Sequence, residues 1–183
     1  MQKLRPIFLT CAIAAAAWAN LAVAATVRVD YGYDTNNFFA VGTPARAAMD
    51  AAANFYSGIL EDTLAAIQTP ADFHGSLGGT AKWRWRRTYK HPSTGFDNPE
   101  ANVPIAANEF VILVGARNLP AGTLGLGGPG GYDQLMESQT GNFTSAESTY
   151  ITNTTNQFFN AVQTRGETSP VWHRGKHRLQ VGS

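Results

Sequence analysis

The sequence holds one cysteine in 183 residues, Cys11, and that scarcity excludes more chemistry than its motifs supply. Cys11 falls inside an amino-terminal stretch with the three parts of a secretory leader. These are the positive residues Lys3 and Arg5, an apolar alanine-rich run over residues 7–23, and the small-x-small pattern Ala22-Val23-Ala24. Cleavage is expected near Ala24, giving a leader over residues 1–24 and a secreted or periplasmic mature chain. That chain has no thiol, which excludes disulfides, thiolate catalysis and cysteine-bound zinc from it. Lipidation of Cys11 is not expected, because Leu9-Thr10 stands before it where a lipoprotein box wants a small residue.

Charge is also in short supply, at 15% of residues. Without Lys3 and Arg5 the mature chain carries 12 basic and 13 acidic residues, a balance of −1. No net field draws it to nucleic acid or to an anionic membrane, so neither is expected as a partner. The apolar run over 7–23 falls short of the roughly 20 residues a membrane span needs, so no stable span is expected after leader cleavage.

Complete catalytic motifs are missing too. Gly131 is followed by Tyr132-Asp133 rather than by the lysine and hydroxyl residue of a phosphate-binding loop. Gly125-x-Gly127 leads into Pro129 and more glycines instead of a helix, which defeats a dinucleotide fingerprint. His173 and His177 stand four apart as in H-E-x-x-H, but Arg174 occupies the glutamate position and Gly175 weakens a helix there. No serine sits in a G-x-S-x-G elbow, and His74 and His91 fall in loop-like segments. Glu100 and Glu109 are not identifiable as a catalytic pair from spacing, and nothing points to a Ser-His-Asp triad. Catalytic, cofactor and metal residues are therefore expected to be none.

What the sequence does have is apolar residues, 44% of the total, enough for one sizeable core. Residues 26–33 alternate Val27, Val29, Tyr31 and Tyr33 with polar positions and read as a half-buried strand. Asp34-Thr35-Asn36-Asn37 then reads as a turn. Asp30 and Asp34 suit turn chemistry, and as calcium ligands they would need further oxygens from elsewhere.

Residues 43–68 read as one long helix. Thr43 is placed to cap it, Pro44 suits its first position, and Ala48, Met49, Ala52, Phe55, Tyr56, Ile59, Leu60, Leu64 and Ile67 form a stripe expected to face a core. Pro70 blocks its continuation. After a glycine-containing loop, residues 81–89 alternate Trp83 and Trp85 with Arg84 and Arg86. This is expected to be an outer strand with its tryptophans inward; the alternative is a ligand surface made by those four residues.

Residues 91–108 read as turns. Phe110-Val111-Ile112-Leu113-Val114 reads as a central strand buried on both faces, feeding a loop with six glycines and two prolines over residues 117–131. Residues 133–150 are polar without clear period. Residues 151–162 read as a short helix with Phe158, Phe159 and Val162 inward. Asn142-Phe143-Thr144 and Asn153-Thr154-Thr155 fit the glycosylation sequon, a pattern that arises often by chance. The expected fold is α/β (α+β), a twisted mixed sheet of three to four strands backed by one long amino-terminal helix, in a single domain over residues 25–167.

The stretches VRVDYGYD, ARAAMDAAANFYSGILEDTLAAI, NEFVILVGARNLP and TLGLGGPGG, following a leader, resemble the amino-terminal half of secreted bacterial metzincin-type zinc proteases related to the matrixins. The resemblance implies a sheet backed by the first helix, with the zinc helix H-E-x-x-H-x-x-G-x-x-H further along. No residue here matches its histidines or its glutamate, so zinc is expected only in a full-length relative. The basic tail over 168–183 loses hydrophobic pattern and is expected to be foreign to the fold, through truncation or a shifted frame. The chain is thus expected to be an inactive, metzincin-like part with uncovered apolar helix surface and a tendency to self-associate. The alternative is an extracellular domain that binds protein or polysaccharide through Trp83, Trp85 and the glycine-rich loop at 122–131.

Overall fold

The computed structural model describes residues 24–166. The leader with Cys11, the histidines His173 and His177 and the tail 168–183 lie outside the described residues. The fold is α+β, in the order β1 (Thr26–Asp30), α1 (Pro44–Ser57), β2 (Phe73–His74), β3 (Thr80–Lys90), β4 (Asp97–Ala101), β5 (Glu109–Leu113), β6 (Gly131–Thr140) and α2 (Ser145–Thr164). The expected single mixed sheet is divided in two. β1 and β5 form a parallel pair, and the other four strands form an antiparallel sheet around β3.

β3 is the centre of the larger sheet, not an outer strand. β6 pairs along one edge from Thr80 to Thr88, so β2 and β4 share the other edge, at residues 80–81 and 86–90. Its alternation is as expected: Ala81, Trp83 and Trp85 are buried on one face and Lys82, Arg84 and Arg86 lie on the other. α2 covers the buried face. Ile151, Phe158 and Val162 join the tryptophans and Ile67 in one core, with Phe73, Ile105, Leu135, Phe143 and Phe159 packed around it. Thr155 Oγ1 on α2 accepts the Trp83 Nε1–H at 2.8 Å, so this core tryptophan is both packed and hydrogen-bonded.

α2 runs 20 residues, longer than the short helix expected, because its start is a capping box. Thr144 Oγ1 accepts from Glu147 N, and the Glu147 carboxylate accepts from Thr144 N. β6 and β4 correct the reading of their segments as polar insertion and turns. In β6 only Leu135 and Glu137 are even half-buried, so the strand carries almost no apolar alternation. β4 contains Pro99, which fits a strand lying at the sheet's edge.

The first helix is also shorter than expected. Thr43 caps it and Pro44 opens it as the sequence indicates, but it stops at Ser57. Ser57 Oγ donates to Ala53 O and accepts from Val27 N, satisfying an outer-edge amide of β1, and Gly58 follows, a residue that weakens helix by about 1 kcal/mol. Residues 60–67 then run irregularly and make backbone bonds to Ala25, Asn108, Arg165 and Ile105. The helical part of the apolar stripe does not face a core as expected: among the described residues only Ala53 of α1 is buried. β5 is likewise not a central strand buried on both faces: among the described residues its one strand partner is β1, and Phe110 is 36% exposed.

Two residues in left-handed backbone anchor the β1–β5 pair to its surroundings, Asn108 to the irregular 60–67 segment and Arg165 to the end of α2. Asn108 (φ 55) accepts from Leu64 N through Oδ1 and from Thr26 N through its carbonyl, at 2.8 Å each. Arg165 (φ 56), beyond the last turn of α2, donates to the carbonyls of Ala65, Ala106 and Glu109 at 2.8–3.2 Å.

Candidate functional site

The sequence nominates the β3 face and the glycine-rich loop, and the structure places them differently. Trp83 and Trp85 are 1% and 3% exposed. Their rings offer no face to a ligand, which corrects the aromatic-surface reading and leaves Arg84 and Arg86 on the opposite side. Those cations are already matched. Arg86 grips Asp133 with two bonds of 2.8 and 2.7 Å, while Arg84 and Lys82 share Asp72 at 3.1 and 3.6 Å. Asp133 is the extra residue where the β3–β6 register shifts at Arg86/Arg87, so a bulge delivers the carboxylate to the arginine. The hydrogen bond from Arg84 holds Asp72 below the ordinary carboxylate range, and that from Arg86 does the same for Asp133. A face whose cations are bound to its own carboxylates presents little field to a phosphate backbone.

The glycine-rich loop stands out from the fold. Every residue from 121 to 131 is exposed, with Leu124 fully so and Leu126 at 71%. Gly122, at φ +84, is required by a turn that Thr123 N closes on Pro120 O at 3.0 Å. Side chains at Gly125, Gly127 and Gly128 would meet open space, so these glycines serve no close approach of backbone among the described residues.

The densest polar constellation was not legible in the sequence. Beyond Trp85 the inward face of β3 continues as Arg87 and Tyr89, directly opposite Glu100 and Asn98 of β4. Arg87 Nε donates to Glu100 Oε2 at 2.7 Å, and a second guanidinium nitrogen closes on the same oxygen. Tyr33, from the turn after β1, donates its hydroxyl to Glu100 Oε1 at 2.7 Å and accepts from Arg87 Nη2 at 3.1 Å. Asn98 Nδ2 reaches Tyr89 Oη at 2.5 Å, and the Tyr33 ring meets Tyr89 and His91 edge-on. Ser93, 8% exposed, donates to Tyr33 O at 2.6 Å.

Burial acts to raise Glu100, but the hydrogen bonds from Tyr33, Arg87 and Tyr89 outweigh it and hold the carboxyl below its ordinary range. Burial drives both phenols upward, Tyr89 more strongly than Tyr33. At neutral pH the cluster is thus a carboxylate, a guanidinium and two protonated phenols with their bonding capacity matched to one another. Such a set binds β1's turn to the larger sheet. The sequence signal was Tyr33 and Tyr89 standing near charged residues, which does not say which carboxylate they meet.

The two aspartates raised as calcium ligands do turn chemistry. Asp30 Oδ1 accepts from Gly32 N at 3.0 Å and Asp34 Oδ2 from Phe39 N at 2.6 Å. Among the described residues no group of three or more His, Cys, Asp or Glu side chains is placed to hold a metal ion. No helix among them is long and apolar enough to cross a membrane. Comparison with protein-family models, curated proteins and solved structures finds no match.

Proposed function

We propose that this chain is exported and forms the non-catalytic, amino-terminal part of a metzincin-like zinc protease, binding no zinc and cleaving no protein by itself. The observation that carries this reading is the β1–α1–β5 unit. A strand, a helix laid against it and a second strand parallel to the first are the parts implied by VRVDYGYD, the alanine-rich helix and NEFVILVGARNLP, and the exposed glycine-rich loop leaves the end of β5. A parallel pair is an unusual terminus for a sheet, since parallel sheets are generally extended and covered on both faces. This supports a role as a platform to which further structure is added.

The test is metal analysis and a casein-cleavage assay on the purified chain, alone and joined to a segment bearing H-E-x-x-H-x-x-G-x-x-H encoded beyond Ser183. The reading expects zinc and cleavage only in the joined form. Stoichiometric zinc or proteolysis in the chain alone overturns it.

A further inference from the structure

Among the described residues, each exposed large apolar side chain lies in a helix, a strand or a turn closed by backbone bonds, with two exceptions, Leu124 and Leu126. Phe96 stands on a turn closed by His91 N to Phe96 O, Leu77 on one closed by Gly75 N to Gly79 O, and Phe38 and Val41 on turns closed at Ala40 N and Thr43 N. The two leucines belong to the connection from β5 to β6. Its start is held where Ala116 O accepts from Asn36 Nδ2 at 2.6 Å, and where the Arg117 guanidinium covers Gly95 so closely that a Cβ there would overlap it. Its end is held where Gly131 pairs with Thr88. Between these anchors the only backbone hydrogen bond among the described residues runs from Thr123 N to Pro120 O, before Leu124 is reached. Exposed loop tips of this kind are where proteolytic nicking concentrates.

We propose that this loop is a processing site, cleaved at the Gly125–Leu126 bond by an endopeptidase whose pocket takes a bulky aliphatic side chain just after the bond. Such an enzyme binds its substrate extended over several residues on both sides, and residues 124–130 have no hydrogen bond to break among the described residues before they extend. Leu126 supplies the side chain for the pocket. Leu124, two residues earlier, lies on the same side of the extended chain, and Gly125, Gly127 and Gly128 bring no side chain to obstruct the cleft. The Thr123–Leu124 bond is the slower site, because Thr123 is engaged in the turn. Hydrolysis adds one water across the amide, leaving a carboxylate on Gly125 and a free amine on Leu126. A cut elsewhere first requires a closed turn, a helix or a strand to open, which costs up to the full stability of the fold.

The product remains one fold in two pieces. β6 stays paired to β3 from Thr80 to Thr88, and Ile151, Phe158 and Val162 stay packed with Trp83 and Trp85. Glu147 holds Ser76 N, and Arg165 holds the carbonyls of Ala65, Ala106 and Glu109. Each of these contacts joins one piece to the other. The inference does not rest on the protease reading, since the chain is here a substrate.

The experiment is limited digestion of the full chain with thermolysin, which cleaves before bulky aliphatic residues, with the cut bonds between residues 24 and 166 read by mass spectrometry. The first of these cuts should fall at Gly125–Leu126, and the two pieces should co-elute on gel filtration and separate only in urea. Leu124→Asp with Leu126→Asp should slow cleavage of the loop roughly 100-fold, the scale on which a pocket discriminates side chains, with an unchanged melting temperature because both positions are exposed. Leu77→Asp should leave the rate as it was. A first cut in any other turn or element overturns the proposal, as do pieces that separate without denaturant. So does a loop that stays uncut until the chain unfolds, which would mean that residues outside 24–166 cover it.

Discussion

At the scale of single residues, the buried polar groups differ in how completely they are satisfied, and that sets how much each substitution costs. Trp83 Nε1 has Thr155 as its acceptor, whereas Trp85 Nε1 is buried without a hydrogen-bond partner among the described residues. Trp83→Phe loses a bond and leaves Thr155 Oγ1 with only its own donation to Ile151 O; Trp85→Phe removes a donor that had no partner among the described residues. Trp83→Phe should therefore be the more destabilising by about 1 kcal/mol, read from urea unfolding midpoints at equal slope. In the Tyr33–Arg87–Glu100 cluster, the Arg87 side chain is 13% exposed, so Glu100→Ala strands a mostly buried guanidinium. The expected loss is about 3 kcal/mol, with Arg87→Ala in the same Glu100→Ala background costing much less than it does alone. Equal costs in the two backgrounds would mean that the pair is not coupled.

Elements are joined through their ends, and there one carboxylate carries a pH dependence. Glu147 caps α2 and also accepts from Ser76 N at 2.7 Å, pinning the helix start to the turn before β3. These backbone N–H bonds, that from Ser76 foremost, pull its carboxyl down to about 2. A carboxyl depressed in the folded state contributes its full stability above its unfolded value of about 4.3 and loses it as pH falls toward 2. Glu147→Gln should flatten that acid limb of the stability curve, measured by melting between pH 5 and pH 2 on the order-of-magnitude scale of that titration. An unchanged limb would assign acid lability to other groups. In the same turn, a Cβ on Gly79 would collide with Asn142 O and the Phe143 ring. Gly79→Ala should thus destabilise by more than 1 kcal/mol despite its ordinary φ, because the blocking atoms include backbone.

The element scale also shows why the sequence was readable in some places and not in others. The start of α1, the inward tryptophans of β3 and the inward Phe158 and Val162 of α2 follow from local chemistry: a cap, an alternation of two, a step of three or four. The Thr144-Ser-Ala-Glu147 capping box was an equally local sign that α2 begins at residue 145. β6 was not locally encoded, since GYDQLMESQT gains its strand geometry from pairing with β3 far earlier in the chain. The end of α1 and the exposure of β5 also depended on distant partners. Apolar residues at 59–67 fit a helical period, yet Asn108, Arg165 and Ile105 offered their backbone better bonds in an irregular path. Of the sites, the arginines of β3 were visible but their paired aspartates were not. The Tyr33 cluster needed β4, which Pro99 disguised as turn.

Across the whole molecule, two sheets are held by a few ties rather than by one continuous core. The buried cluster lies between the four-stranded sheet and α2, whereas the β1–β5 unit joins the larger sheet through Tyr33 and α2 through Arg165. Arg165→Ala removes three bonds to carbonyls and should loosen the β1–β5 unit before the larger sheet, visible as faster amide exchange in residues 26–30 and 109–113 than in β3. Uniform acceleration would mean one cooperative unit. Under the proposed function, the parallel β1–β5 pair is the platform to which the rest of a protease would be added. That reading is tested most directly by sequencing the coding DNA past Ser183. The proposed function predicts a frame encoding H-E-x-x-H-x-x-G-x-x-H with strand-forming sequence around it, and a stop codon with no such segment in any downstream frame would contradict it.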